Sequence, residues 1–169
     1  MRVIQNGRMY RLHKRHWLNI GLAIVLLILA SVVIIIFLAG HPMRRAEDQS
    51  IAAAENHQKV TQVDDFYSSD LNHVFYTVKG VRHHRAAYVI MNKHYRPLRT
   101  VSVDHGVSQA DVTKQVRRHD QPKKITNAAP AVLNGYVVWI VSFESRNGRL
   151  NYQTFRYKNG HSIQLIKNL

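Results

Sequence analysis

The feature that most constrains this chain is an uncharged, overwhelmingly apolar run from Leu18 to Leu38, LNIGLAIVLLILASVVIIIFL. Roughly 20 apolar residues in a helix, at about 1.5 Å of rise each, cross the ~30 Å hydrocarbon core of a bilayer. A buried core helix would keep a polar stripe at a 3.6-residue period, whereas this run is apolar on every side. A cleaved signal peptide has a shorter apolar stretch, about 7–15 residues, closed by small residues at the cut. Here cuts after Ala39 or Gly40 put Phe37 or Leu38 where a small residue is required. The chain has no cysteine, which excludes a lipid-modified cysteine as anchor. Residues 17–40 therefore read as an uncleaved transmembrane helix, with Leu18, Ile28 and Leu38 marking its ends and middle.

Charge orients that helix. The preceding arm, residues 1–16, carries Arg2, Arg8, Arg11, Lys14 and Arg15 and no acidic residue. On the other flank Arg44 and Arg45 are followed at once by Glu47 and Asp48. Lysine and arginine are retained on the cytoplasmic side, so the expected topology is single-pass in the cell membrane, N-terminus inside, with everything after about residue 41 extracytoplasmic. Tyr10 and Trp17 are placed to lie at the inner interface.

The exported part is long enough for one ordinary domain or two very small ones. Without disulfides it must be held by its apolar core. From His41 onward it has 19 Lys and Arg against 10 Asp and Glu, a net charge of +9. Such a field favours anionic surroundings, namely lipid headgroups, anionic wall polymers or nucleic acid. The expected topology removes nucleic acid as a partner.

Residues 43–60 are rich in alanine, glutamate and glutamine and read as a helix with Ile51 and Ala54 on a thin apolar stripe, after a break at Pro42. Three strand-like runs follow, Val74 to Val78, Ala86 to Met91 and Leu98 to Val103, with turns at residues 80–85 and 92–97. Ser108 then signals a helix start: Asp111 stands three residues on, and Val107 is placed to staple onto Val112. Arg117 and Arg118 suit its C-terminal end, and Pro122 lies just beyond. Four further strands are expected at Ile125 to Leu133, Tyr136 to Phe143, Leu150 to Tyr157 and Ser162 to Ile166. Asn134-Gly135, Asn147-Gly148 and Asn159-Gly160 punctuate them, and Asn-Gly is a strong hairpin signal because both residues tolerate positive φ.

The order helix–strands, helix–strands repeats with a period of about 60 residues. The fold class is thus α+β: a transmembrane helix, then two tandem units over residues 41–104 and 105–169, each a helix packed on an antiparallel sheet. Neither unit buries much alone, so the two are expected to dock. The strand from Tyr136 is apolar on both faces, as a strand covered on both sides must be. Tyr136, Val138 and Ile140 form one candidate docking or partner face. The plainer alternative is a central strand with an exposed apolar patch.

No motif carries catalysis, metal binding or a cofactor site. There is no thiol, and no serine lies in a G-x-S-x-G elbow. Asp64 and Asp65 are adjacent, and neighbours on a strand point to opposite faces, so a strand edge or turn explains them better than shared chemistry. His83 and His84 lie among arginines, and His94, His105, His119 and His161 lack metal-ligand spacing. No glycine-rich phosphate loop is present.

The order of Val63-Asp64-Asp65-Phe66-Tyr67, Phe75 to Gly80, Ala86 to Lys93, Gly106 to Val112, Pro122 to Ile125, Asn134 to Phe143 and the Tyr157 to Ile166 hairpin resembles the TseB-like (YpmB-like) proteins of Gram-positive Firmicutes. These are known as cell wall elongation regulators, and the resemblance spans essentially the whole chain. It implies two tandem cystatin-like domains related to PepSY modules. It also implies a non-catalytic role, binding and modulating a penicillin-binding protein, the transpeptidase of lateral wall synthesis. This chain departs from the family in being far more basic and richer in histidine. Two other functions compatible with the residues are a PepSY-type inhibitor or chaperone of a secreted peptidase, and a module that binds anionic wall polymers.

Overall fold

The structure is a computed structural model that describes residues 6–71 and 73–167, with the backbone alone at 6–16, Leu18 and 38–40. Arg2 lies outside the described residues, as do the side chains of Tyr10, Leu18, Leu38 and the rest of the basic arm. Helix α1 is Asn6–Gln58, and the chain divides into two compact units, Met1–Arg44 and Arg45–Leu169.

In the first unit the helix is long and apolar enough to cross a membrane. Its described apolar side chains, Ile28 and Trp17 among them, are exposed. Ser31 donates to the Leu27 carbonyl at 2.8 Å, so its hydroxyl is satisfied inside the helix itself. The break expected at Pro42 does not occur, because the helix runs through it. Proline removes one backbone donor, and the strong helix formers that follow re-establish the ladder within a turn.

The second unit begins with the last turns of α1. Ala46, Ser50 and Ala54 recur every fourth residue and are buried, with Ile51 and Ala53 beside them. Their burial faces this end of the helix toward a sheet formed by β1 (Thr61–Ser69), β2 (Phe75–Arg82), β3 (Arg85–Asn92) and β4 (Pro97–Ser102). Val60, Val78, Val89 and Met91 fill the space between. A 3-10 turn, Val103–His105, leads to α2 (Gln109–His119). A second sheet follows: β5 (Lys124–Leu133), β6 (Tyr136–Glu144), β7 (Leu150–Arg156) and β8 (Ser162–Ile166). Each sheet is a four-stranded antiparallel meander in chain order. Helix followed by four antiparallel strands thus occurs twice along the chain, within one compact unit.

The strand missing from the sequence reading of the first repeat is β1. Gln62 has φ +48° and the register slips between Thr61 and Asp65, so a bulge interrupts the alternation that marks a strand. Gly80, expected in a turn, is a buried strand residue, and a Cβ there would stand 2.6 Å from the Val60 side chain. The turn itself is only His83-His84, with φ +50° and +63°. Of the three Asn-Gly pairs, only Asn134-Gly135 uses positive φ at both residues. At the other two the glycine alone does so, and the asparagine side chain accepts from the backbone of Arg149 or His161 instead.

The helix start at Ser108 is a complete capping box. Its hydroxyl accepts from the Asp111 amide at 3.2 Å, and the Asp111 carboxylate accepts from the Ser108 amide at 3.0 Å. Those bonds from Ser108 hold the Asp111 carboxyl below the usual carboxylate range.

Candidate functional site

The two sheets meet along a seam built mainly from aromatic residues. Tyr67 on β1 and Tyr88 on β3 come from the first sheet, Trp139 on β6 from the second, and Tyr157 from the residue just past β7. Tyr88 meets Trp139 edge-on at 5.7 Å and Tyr157 at 6.2 Å, and Tyr67 meets Trp139 at 6.4 Å. Edge-to-face pairs of this kind add to the gain from burial. The polar tips are also used. Trp139 Nε1 donates to the Val107 carbonyl at 2.9 Å, and the Tyr157 hydroxyl donates to the Ser102 carbonyl at 2.7 Å. Tyr157 thereby straps down the connection between the sheets, and its ring lies where any Cβ on Gly106 would fall.

Beside this seam β5, the edge strand of the second sheet, rests on the first. Thr77 donates to the Pro130 carbonyl at 2.9 Å, and Asn127 donates to the Ser68 carbonyl at 2.7 Å. Proline is tolerated at such an edge because its missing N–H removes no ladder bond the sheet depends on.

The rim of the seam is charged. Lys79 lies 3.4 Å from Asp65 and 3.6 Å from Asp64, and the Tyr67 hydroxyl donates to Asp65 at 3.3 Å. The adjacent aspartates were expected to point apart; the bulge in β1 instead brings both to one ammonium group. Burial alone would pull the Lys79 pKa down, but the hydrogen bond and charge of Asp65, with Asp64, outweigh it and raise it. Burial, reinforced by Tyr88 and Asp65, pushes the Tyr67 hydroxyl well above the usual phenol range, and burial does the same to Tyr157. Both tyrosines thus stay protonated at neutral pH, as donors rather than nucleophiles. The arrangement is suited to holding two sheets in register.

The residues singled out in the sequence are separated by the fold. Val138 and Ile140 are buried, packed with Ala131, Leu71, Phe75, Leu133 and Tyr152. Leu71 and Phe75 belong to the first repeat, so this face of β6 lies against it. Tyr136, at the mouth of the Asn134-Gly135 turn, is 75% exposed. Ile28 is exposed on α1, and for Leu18 and Leu38 only the backbone is described. His83, His84, His94, His105, His119 and His161 are all exposed. Among the described residues no three His, Asp or Glu side chains come together as metal ligands would.

The aromatic seam went unrecognised in the sequence, although Tyr67, Tyr88, Trp139 and Tyr157 recur at strand positions. Their signal was alternation, which marks a buried face without saying what covers it.

No protein-family model matches this chain. No curated protein matches it either. Its fold is similar to that of a solved structure, the YpmB protein from Bacillus subtilis, with a TM-score of 0.59 and 18% sequence identity. The match covers 71% of this chain and 95% of that one. A likeness at such identity concerns architecture alone, and in that sense the chain has a YpmB-like α+β fold.

Proposed function

We propose that this chain is a non-catalytic, single-pass protein of the cell membrane whose two extracytoplasmic units, cystatin-like in character, bind a penicillin-binding protein and regulate cell wall elongation. The observation that carries the reading is the joining, in one chain, of an apolar helix of membrane-spanning length to a paired-meander body of YpmB-like fold. The motifs that resemble the TseB-like proteins support the same conclusion. The helix would confine the body to the membrane plane beside its partner, raising effective concentration without extensive contacts. Of the three candidate partner residues, Tyr136 is the one whose side chain is free to be touched, and tyrosine is a frequent interface anchor.

The test is capture of the full chain from detergent-solubilised membranes, with penicillin-binding proteins detected by a fluorescent β-lactam. One elongation-class transpeptidase is expected to co-purify, and less of it with Tyr136→Ala. A clean absence of every transpeptidase contradicts the proposal.

A further inference from the structure

The far end of the second repeat gathers positive charge in a way its fold does not require. The C-terminal turn of α2, the entry to β5 and the β6–β7 turn are brought together there. Lys123 N–H donates to the Glu144 carbonyl at 2.8 Å, and Arg146 donates to Gln121 Oε1 at 2.9 Å. This convergence places Arg117, Arg118, Lys123, Lys124, Arg146 and Arg149 at one end of the unit, all exposed. The two stretches that carry these six cations, residues 117–124 and 144–149, hold two carboxylates, Asp120 and Glu144. Glu144 is already taken by Lys123 at 2.6 Å.

Structural needs account for part of this at most. A helix C-terminus favours cations, which covers Arg117 and Arg118. It does not cover Lys124, Arg146 or Arg149, which lie outside the helix. Lys114 and Arg118, four residues apart on α2, form a like-charge pair that weakens a helix. In the first repeat two basic groups are engaged. Lys79 is held by two aspartates, and Arg82 donates to the Gln58 carbonyl at 2.8 Å.

We infer that this end of the second repeat is a binding surface for a linear phosphodiester polymer. Four of the six cations are arginines, whose planar fork matches the paired oxygens of a phosphate. The six cations together sit on three separate segments, a layout suited to successive charges along a chain. The inference rests on the extracytoplasmic placement proposed above, where the phosphodiester polymers at hand are anionic wall polymers.

The experiment uses the purified full chain in neutral detergent micelles, with glycerol-phosphate teichoic acid as probe and phosphatidylglycerol vesicles as comparison. The variant Arg117→Gln/Arg118→Gln/Lys124→Gln/Arg149→Gln is set against Arg85→Gln/Lys93→Gln/Arg96→Gln/Arg99→Gln, which removes the same charge elsewhere. The first is expected to bind the polymer at least about tenfold more weakly, with a flatter salt dependence, and the second less than about threefold. Single variants Arg118→Gln and Lys124→Gln give smaller losses in the same direction and guard against misfolding of the quadruple one. Equal weakening by both sets overturns the inference in favour of diffuse net charge. Patch-dependent binding to vesicles but not to polymer overturns it in favour of lipid, and no binding to polymer overturns it outright. Transpeptidase capture by the patch variant should be unchanged, so this surface and the proposed partner contact fail separately.

Discussion

The two repeats share one topology and are filled quite differently. In the first, Ala54, from a buried helix stripe with Ala46 and Ser50, joins a small cluster of Val60, Val78, Val89 and Met91. In the second, Val112 and Val116 of α2 lie over Trp139, Val141, Phe143 and Phe155, and the same cluster reaches Tyr88 of the first sheet. The first repeat closes its helix side with little bulk and relies on the second to cover its other face. A duplicated meander has thereby become one body, in which the second copy supplies the large core and the first supplies the attachment to α1.

The most severe way to break that asymmetry is Trp139→Ala. It should cost about 3–5 kcal/mol and loosen both sheets together, read as hydrogen exchange in β3 as well as β6. Val78→Ala in the first cluster should cost nearer 2 kcal/mol and leave the seam intact. Loss of β6 protection alone in Trp139→Ala would show that the halves are independent.

Gly106→Ala comes next. Its Cβ meets the Tyr157 ring, so about 1–3 kcal/mol of overpacking is expected, reported by a shifted denaturation midpoint. The backbone there is extended, at φ −144°, so close approach rather than conformation is what selects glycine.

The two helices offer a contrast in sign. Ser108→Ala removes the cap of α2 and should lower stability by about 1 kcal/mol. Ser50→Ala removes a buried hydroxyl that finds no hydrogen-bond partner among the described residues and should raise it by a similar amount, about 1 kcal/mol. Thermal melting of both variants checks the pair.

The smallest effect is alkaline. Tyr67 and Tyr157 have raised pKa values in the folded chain, so folding favours their neutral forms. Their contribution is complete below the unfolded phenol pKa of about 10 and is lost as pH rises beyond it. Denaturation midpoints should therefore fall above pH ~10, and fall less steeply in a Tyr67→Phe/Tyr157→Phe variant.

Much of this architecture is legible in the residues because it is local. The capping box at Ser108, the apolar run of α1 and the Asn-Gly turns are each written within a few positions. What escaped is what the chain does at a distance. The bulge at Gln62 hid β1 and turned Asp64 and Asp65 toward one lysine. His83-His84 makes a two-residue turn with no glycine to announce it. The aromatic seam depends on which sheet covers which, and alternation along one strand carries no such information. The candidate face at Tyr136, Val138 and Ile140 was legible as apolar; that the fold buries two of them and exposes the third was not.

The placement of the body outside the membrane underlies both the proposed partner and the polymer surface. The absence of cysteine makes it directly measurable. Single variants His84→Cys and Arg8→Cys, expressed in intact cells, are treated with a membrane-impermeant maleimide. Labelling is expected at position 84 without permeabilisation and at position 8 only after it. Labelling at position 8 with protection at 84 would contradict that placement.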